Sequence, residues 1–165
     1  WSSSTPPWLR RTNSVPASLV DTNVWLAATF EGHPCHQRAR QELLAATPAD
    51  PWLWCRATQQ SFLRLASTAA VFRSCGVERA TNADAMAALE QWLALRQVAF
   101  VEEPPGVMAH WASLAAVDQV APKLWMDAYL AAVAIAGGWR LISFDRDFRS
   151  FQPQGLDLWL LPPAA

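Results

Sequence analysis

The 165-residue sequence is short of cysteine, of net charge and of long apolar runs, and each shortage closes off a class of protein. Its three cysteines, Cys35, Cys55 and Cys75, are widely spaced and odd in number, which is no disulfide framework and suits a reducing compartment. His33, Cys35 and His36 offer soft donors close together, but no CxxC or second ligand pair accompanies them, so a zinc site is not expected. The formal net charge of −1 excludes a strongly basic nucleic-acid coat, though not a local basic patch. The longest apolar stretch, Ala128 to Ala136, falls far short of a membrane span. No charged-then-apolar segment opens these residues, and no internal repeat is visible, so a cytoplasmic domain without a membrane partner is expected. The chain opens on Trp1 rather than Met, which leaves open that it begins inside a longer product.

What is there is a globular composition, 52% hydrophobic, long enough for one well-cored domain. Residues 1–17, rich in serine and proline with paired arginines, are expected to be a flexible tail, as are residues 162–165. Between them, residues 18–161 alternate short apolar runs with helical patterns. Ser18–Asp21, Pro51–Cys55, Val98–Glu103, Arg140–Phe144 and Leu156–Leu161 are strand candidates. Helical spacing fills the gaps, with Met86, Leu89 and Leu93 on one expected face, and Pro122 and Gly137-Gly138 punctuating a later helix. Such alternation predicts a three-layer α/β/α domain with a mostly parallel sheet of about five strands.

Sites in parallel α/β sheets form outside the carboxyl ends of the strands, and acids fall there. Asp21 ends the first strand, Asp145 ends the fourth with Asp147 two residues on, and Asp127 lies in the apolar helical run before that strand. Each has an ordinary alternative. Asp21 caps helices as readily as it binds ions, and Asp145 and Asp147 suit a polar turn. Asp127, placed beyond the first turn of a helix opened by Pro122, is harder to explain locally, although Lys123 stands four residues before it. Brought together, the carboxylates repel and call for a cation. All-oxygen ligation selects Mg²⁺ or Mn²⁺, which lower the pKa of a bound water and neutralise charge building on a phosphate.

Three motifs in order, Leu19–Ala27 (LVDTNVWLA), Met126–Ala134 (MDAYLAAVA) and Leu141–Phe148 (LISFDRDF), give the sequence a resemblance to PIN-domain ribonucleases, and among them to the VapC-type toxins of toxin–antitoxin pairs. The resemblance covers roughly Ser18 to Leu161. It implies a metal-dependent endoribonuclease with Asp21, Asp127 and Asp145 as metal ligands and Asp147 as an auxiliary acid. Thr22 or Asn23 would order the first acid or a bound water. It also implies an RNA substrate, tRNA or rRNA being plausible, a cognate antitoxin and a homodimer. Asn23, Arg64 and Arg146 are the foremost candidate substrate contacts, with Lys123, Arg140 and Arg149 near the expected mouth. In one place the sequence departs from the family. The helix after the second strand carries Gln59, Gln60 and Ser61 where a Glu is common, and Glu42 could substitute only by folding over the site.

Two other readings stay open. The missing Glu fits a catalytically silent module that binds RNA or a protein. An aspartyl-phosphate enzyme or receiver would use Asp21 as nucleophile, but DTNVW lacks the second Asp such a phosphatase needs, and a receiver's acidic pair and late Lys are absent. Among the ten tryptophans, Trp52, Trp54, Trp92 and Trp111 are expected to pack in the core. Trp25 and Trp125 stand near proposed acids, four residues from Asp21 and two from Asp127, and are open to contact with RNA bases.

Overall fold

The computed structural model describes residues 17–162. The expected tails lie outside these residues except for Ala17, which is buried, and Pro162, which is exposed. Five short strands, β1 (Ser18–Val20), β2 (Trp52–Trp54), β3 (Val98–Phe100), β4 (Arg140–Ser143) and β5 (Leu158–Leu160), form one sheet in the order β3-β2-β1-β4-β5. Every pairing is parallel, which sharpens the expectation of a mostly parallel sheet.

Helices cover both faces. The strand residues alternate between them with the two-residue period of extended chain. Val20, Trp52, Trp54 and Ile142 face a layer that includes α1 (Thr22–Thr29), α2 (His36–Ala45), α3 (Arg56–Ala66), α4 (Ala69–Ser74) and α5 (Asn82–Leu93). Leu19, Leu53 and Leu141 face α6 (Val107–Ala115), α7 (Leu124–Gly137) and a 3-10 segment, Arg146–Gln154. The expected α/β/α sandwich is thus the observed one. In α7 the run Leu130 to Ala134 is buried all round, as expected of a helix apolar on every side.

The first face is built on tryptophan. Trp25 is fully buried and stacks on Trp54 at 3.9 Å with an interplanar angle of 10°, while Trp52 and Trp92 meet it at 5.2 and 5.7 Å. Trp25 is therefore core, although the candidate site residue Asn23 lies two residues before it. Trp52, Trp54 and Trp92 are buried as expected, whereas Trp111 is only half-buried.

Several local expectations are corrected. On α5 the buried face is Ala85, Leu89 and Trp92; Met86 and Leu93 are 44% and 37% exposed, because Trp92 turns the helix about a different stripe. Both α4 and the 3-10 segment are additions to the expected elements, the latter replacing a turn. Helix α7 starts at Leu124 rather than at Pro122, which brings Asp127 into its first turn. Among the described residues no helix is long and apolar enough to cross a membrane.

The tryptophan stack carries the first prediction. Trp25→Ala removes a large, fully enclosed side chain and should lower unfolding free energy by about 3–5 kcal/mol. A urea titration with an unchanged midpoint would show that the stack contributes nothing.

Candidate active site

The strand order reverses between β1 and β4. From β1 the chain steps outward through β2 to β3, then returns to the other side of β1 to lay down β4 and β5. Such a switch point opens a crevice at the carboxyl edge, and a residue there reaches solvent between diverging connections. Asp21 follows β1 at this edge and Asp145 follows β4. They line one pocket of about 340 Å³ together with Asp127 from α7 and Thr22, Asn23, Thr58, Ser61 and Arg64.

The backbone fixes Asp21 first. Its N–H donates to Ile142 O at 2.9 Å, ending the β1–β4 ladder, and its carbonyl accepts from Val24 and Trp25 to start α1. Asp21 therefore occupies the capping position, but its carboxylate makes no cap bond to the start of the helix. Instead Oδ2 accepts from Ser143 Oγ at 2.6 Å. The same Oγ accepts from the amide Nδ2 of Asn23 at 3.1 Å and from the N–H of Asp145 at 2.9 Å. Ser143, fully buried at the end of β4, is the joint between the two acidic strand ends. It is absent from the candidates drawn from the sequence, where its one signal is a lone hydroxyl two residues before an acid in an apolar strand.

Asp145 serves two ends. Its Oδ1 accepts from Asp147 N–H at 2.9 Å, capping the 3-10 segment, so the polar turn and the site acid are one residue. Asp147 is exposed and outside the pocket wall, though close enough for its charge to act on Asp127. Asp127 is half-buried, and among the described residues nothing donates a hydrogen bond to it and no ion pair joins it to Lys123. The local-bridge alternative fails. Its first-turn place corrects the expectation that the helix start is remote: the positive end of α7 favours a carboxylate there.

Burial raises the Asp21 carboxyl from 3.8 to about 6, opposed by the Ser143 hydroxyl and the nearby Thr22 backbone and reinforced by the charges of Asp127 and Asp145. Asp127 is also raised, first by burial and then by Asp145 and Asp147. The acids thus share one electrostatic environment. Among the described residues no group of three or more acidic, histidine or cysteine side chains is arranged to hold a metal ion by itself. An open, all-oxygen set fits Mg²⁺ or Mn²⁺, since Mg²⁺ keeps several waters and takes one or two carboxylates plus substrate phosphates. At the His33, Cys35 and His36 cluster, His33 Nδ1 accepts from Cys35 N–H, and His36 Nδ1 lies 2.8 Å from Ala27 O.

The remaining candidates divide. Arg64 is exposed in the pocket wall, whereas Arg146 and Arg149 are exposed on the 3-10 segment, outside it. Asn23 lines the pocket, but its amide is committed to Ser143 and, at 3.3 Å, to Phe144 N–H. Arg140 starts β4, at the opposite end of the strand from Asp145, where it pairs with Asp157 at 3.6 Å; placing it near the mouth is corrected. Glu42 is tied to Arg38 on α2 and does not reach the pocket. On α3, Gln59 is buried against Arg56 and Gln60 is exposed; the polar residues lining the pocket are Ser61, Arg64 and Thr58, whose hydroxyl bonds to the Cys55 backbone.

A PIN domain family model matches residues 18–152, and the chain belongs to that family. Within it the chain is of the VapC type. It is 40% identical over 144 residues to Ribonuclease VapC41 of Mycobacterium tuberculosis, covering 87% of this chain and 97% of that one. Two solved structures share the fold at a TM-score of 0.58. VapBC2 from Rickettsia felis, bound to a DNA fragment from its promoter, is 14% identical over 88% of this chain and 99% of that chain. The sarcin-ricin loop cleaving toxin VapC20 of M. tuberculosis is 19% identical over 85% and 96%.

The raised Asp21 carboxyl sets how stability follows pH. A carboxyl raised in the folded state stabilises fully below its ordinary value of 3.8, and that contribution is lost as pH rises through about 6. In EDTA, wild-type protein should therefore melt lower at about pH 7.5 than at about pH 5, and Asp21→Asn should recover on the order of 1–2 kcal/mol at the higher pH. Superimposable pH profiles for the two proteins would contradict the assignment.

Proposed function

We propose that this chain is an endoribonuclease that hydrolyses RNA phosphodiester bonds with Mg²⁺ or Mn²⁺, the toxin of a VapBC-type pair. The observation that carries the reading is the pocket itself: Asp21, Asp127 and Asp145, from three separate segments, face one cavity with Arg64 in its wall. The kinship to Ribonuclease VapC41 supports it along nearly the whole length of that protein.

The three carboxylates would hold the cation, which would supply an acidified water and positive charge at the reacting phosphate. Ser143 fixes the orientation of Asp21 and, through the Asp145 N–H, the spacing of the two strand ends. Asn23 locks that hydroxyl by donating to it, so the lone pair facing Asp145 and the proton facing Asp21 keep their assignments. Arg64 donates to a phosphate oxygen and orients the strand, an interaction that adds affinity without reading sequence. Asp147, exposed beside Asp145, adds negative charge at the mouth and serves as the auxiliary acid. Partners follow from the same reading: single-stranded regions of tRNA or rRNA as substrate, a cognate antitoxin, a second copy of the chain, and the cytoplasm as location.

A second reading rests on α3, where Ser61 rather than a carboxylate lines the pocket. A module that binds RNA without cutting it would keep metal and RNA affinity and show no turnover.

Cleavage of a mixed tRNA and rRNA pool in Mg²⁺ or Mn²⁺, against EDTA, distinguishes the two. Asp127→Asn should lose at least about a hundredfold in rate while melting no lower than wild type, because relieving acid–acid repulsion offsets the lost ligand. A variant that cuts normally sinks the ligand role; one that unfolds shows Asp127 to be structural. Arg64→Ala should raise KM several-fold and flatten the salt dependence of binding by about one phosphate contact. An unaltered salt slope would remove Arg64 from the phosphate path.

A further inference from the structure

Beyond the acids, a run of aromatic rings leads outward from the α7 side of the pocket, with Tyr129 in its lining and Trp111 and Trp125 outside it. Tyr129 lines the pocket and meets Trp111 edge-to-face at 5.1 Å; Trp111 in turn meets Trp125 edge-to-face at 5.9 Å. Each step is tethered. Tyr129 Oη donates to Glu103 Oε2 at 2.7 Å, and Trp111 Nε1 donates to the Trp125 carbonyl at 2.9 Å. Trp125 nevertheless remains 49% exposed, with Met126 beside it at 56%.

That exposure is not shared by most of its kind. Trp25, Trp52, Trp54, Trp92 and Trp139 are buried, and Trp159, the other largely exposed indole described, is covered by the Arg140 guanidinium at 5.3 Å. An edge-to-face contact leaves at least one face of Trp125 uncovered by Trp111, and among the described residues no cation covers it. Charge decides what would lie there. The aromatic wall carries the Glu103 carboxylate, which repels phosphate, while Arg64 faces the pocket from α3 in the other layer of the sandwich. A strand with its phosphate toward Arg64 and the acid-held cation turns a neutral base toward the rings.

Resting on the ribonuclease reading above, we infer that Trp125, braced by Trp111, is the platform on which a base flanking the scissile phosphate stacks, with Tyr129 and Met126 continuing the wall to the acids. Single-stranded RNA is recognised through such stacking on aromatic faces, which tolerates many sequences. Trp125 is then a positioning residue for the strand and takes no part in the chemistry.

The test separates this inference from the activity beneath it. Binding of a fluorescein-labelled, mixed-sequence single-stranded RNA oligonucleotide to the full chain is measured in EDTA, where cutting is blocked. Cleavage of the tRNA and rRNA pool is measured separately in Mn²⁺. Trp125→Ala should weaken binding by on the order of tenfold and Trp125→Phe should restore most of it, with circular dichroism unchanged in both. The loss in cleavage should fall on KM rather than on kcat. Equal affinity of wild type and Trp125→Ala for the oligonucleotide overturns the platform even if cleavage is robust. So does a Trp125→Ala chain that cuts normally but escapes inhibition by its antitoxin, which would make the face a protein-docking site. Wild-type binding that depends on Trp125 with no cleavage in any metal leaves the platform standing and sinks the ribonuclease reading instead.

Discussion

Negative charge gathered at the carboxyl edge of β1 and β4 is the constraint to which the rest of this structure answers. Two strand ends and a helix start each deliver a carboxylate to the same pocket, where burial and mutual repulsion hold Asp21 and Asp127 above the ordinary carboxyl range. A fold does not gather such charge for stability's sake, because ionising these carboxyls near neutral pH is work against burial and against each other. The proposed divalent cation, with a phosphate across it, would meet that deficit. Under that proposal the openness of the acidic set would leave positions on the ion for water and substrate.

Holding the acids in place requires a rigid frame, and the frame has two parts. The ladder bond from Asp21 N–H to Ile142 O and the Ser143 hydroxyl join the ends of β1 and β4, so neither acid can move without the other. Behind them the stacked Trp25 and Trp54 lock α1 to the sheet from one side, and the apolar α7 backs it from the other. Asp21 and Trp25 lie on the same short chain turn, one directed to the pocket and one to the core. The site's precision is inherited from packing, which is where catalytic geometry is best secured.

Much of this can be read in the residues because it depends on local pattern. Apolar triplets separated by helical stretches point to the parallel sandwich, and acids immediately after Val20 and Phe144 mark its carboxyl edge. What stays hidden depends on relations across the chain. Ser143 is an ordinary serine until β4 lies beside β1 and its hydroxyl meets Asp21 and Asn23 from more than a hundred residues away. Arg140 stands close to Asp145 in sequence, yet a strand's length puts it at the other edge of the sheet. The start of α7 falls at Leu124 instead of Pro122, a small displacement that changes the electrostatic meaning of Asp127. Trp25 and Trp125 both stand near an acid; only packing distinguishes the buried ring from the exposed one. On α3 the missing Glu draws attention to Gln59, Gln60 and Ser61 alike, and helix phase leaves only Ser61 of the three lining the pocket.

The cation is best sought in a crystal grown with Mn²⁺, through an anomalous difference map at the manganese absorption edge. A peak is expected in the Asp21–Asp127–Asp145 pocket, with carboxylate oxygens at about 2.0–2.2 Å and remaining positions filled by water. A pocket without a peak at saturating Mn²⁺, or a peak held elsewhere while these acids hydrogen-bond only to protein, would contradict the metal-ligand role of the three acids.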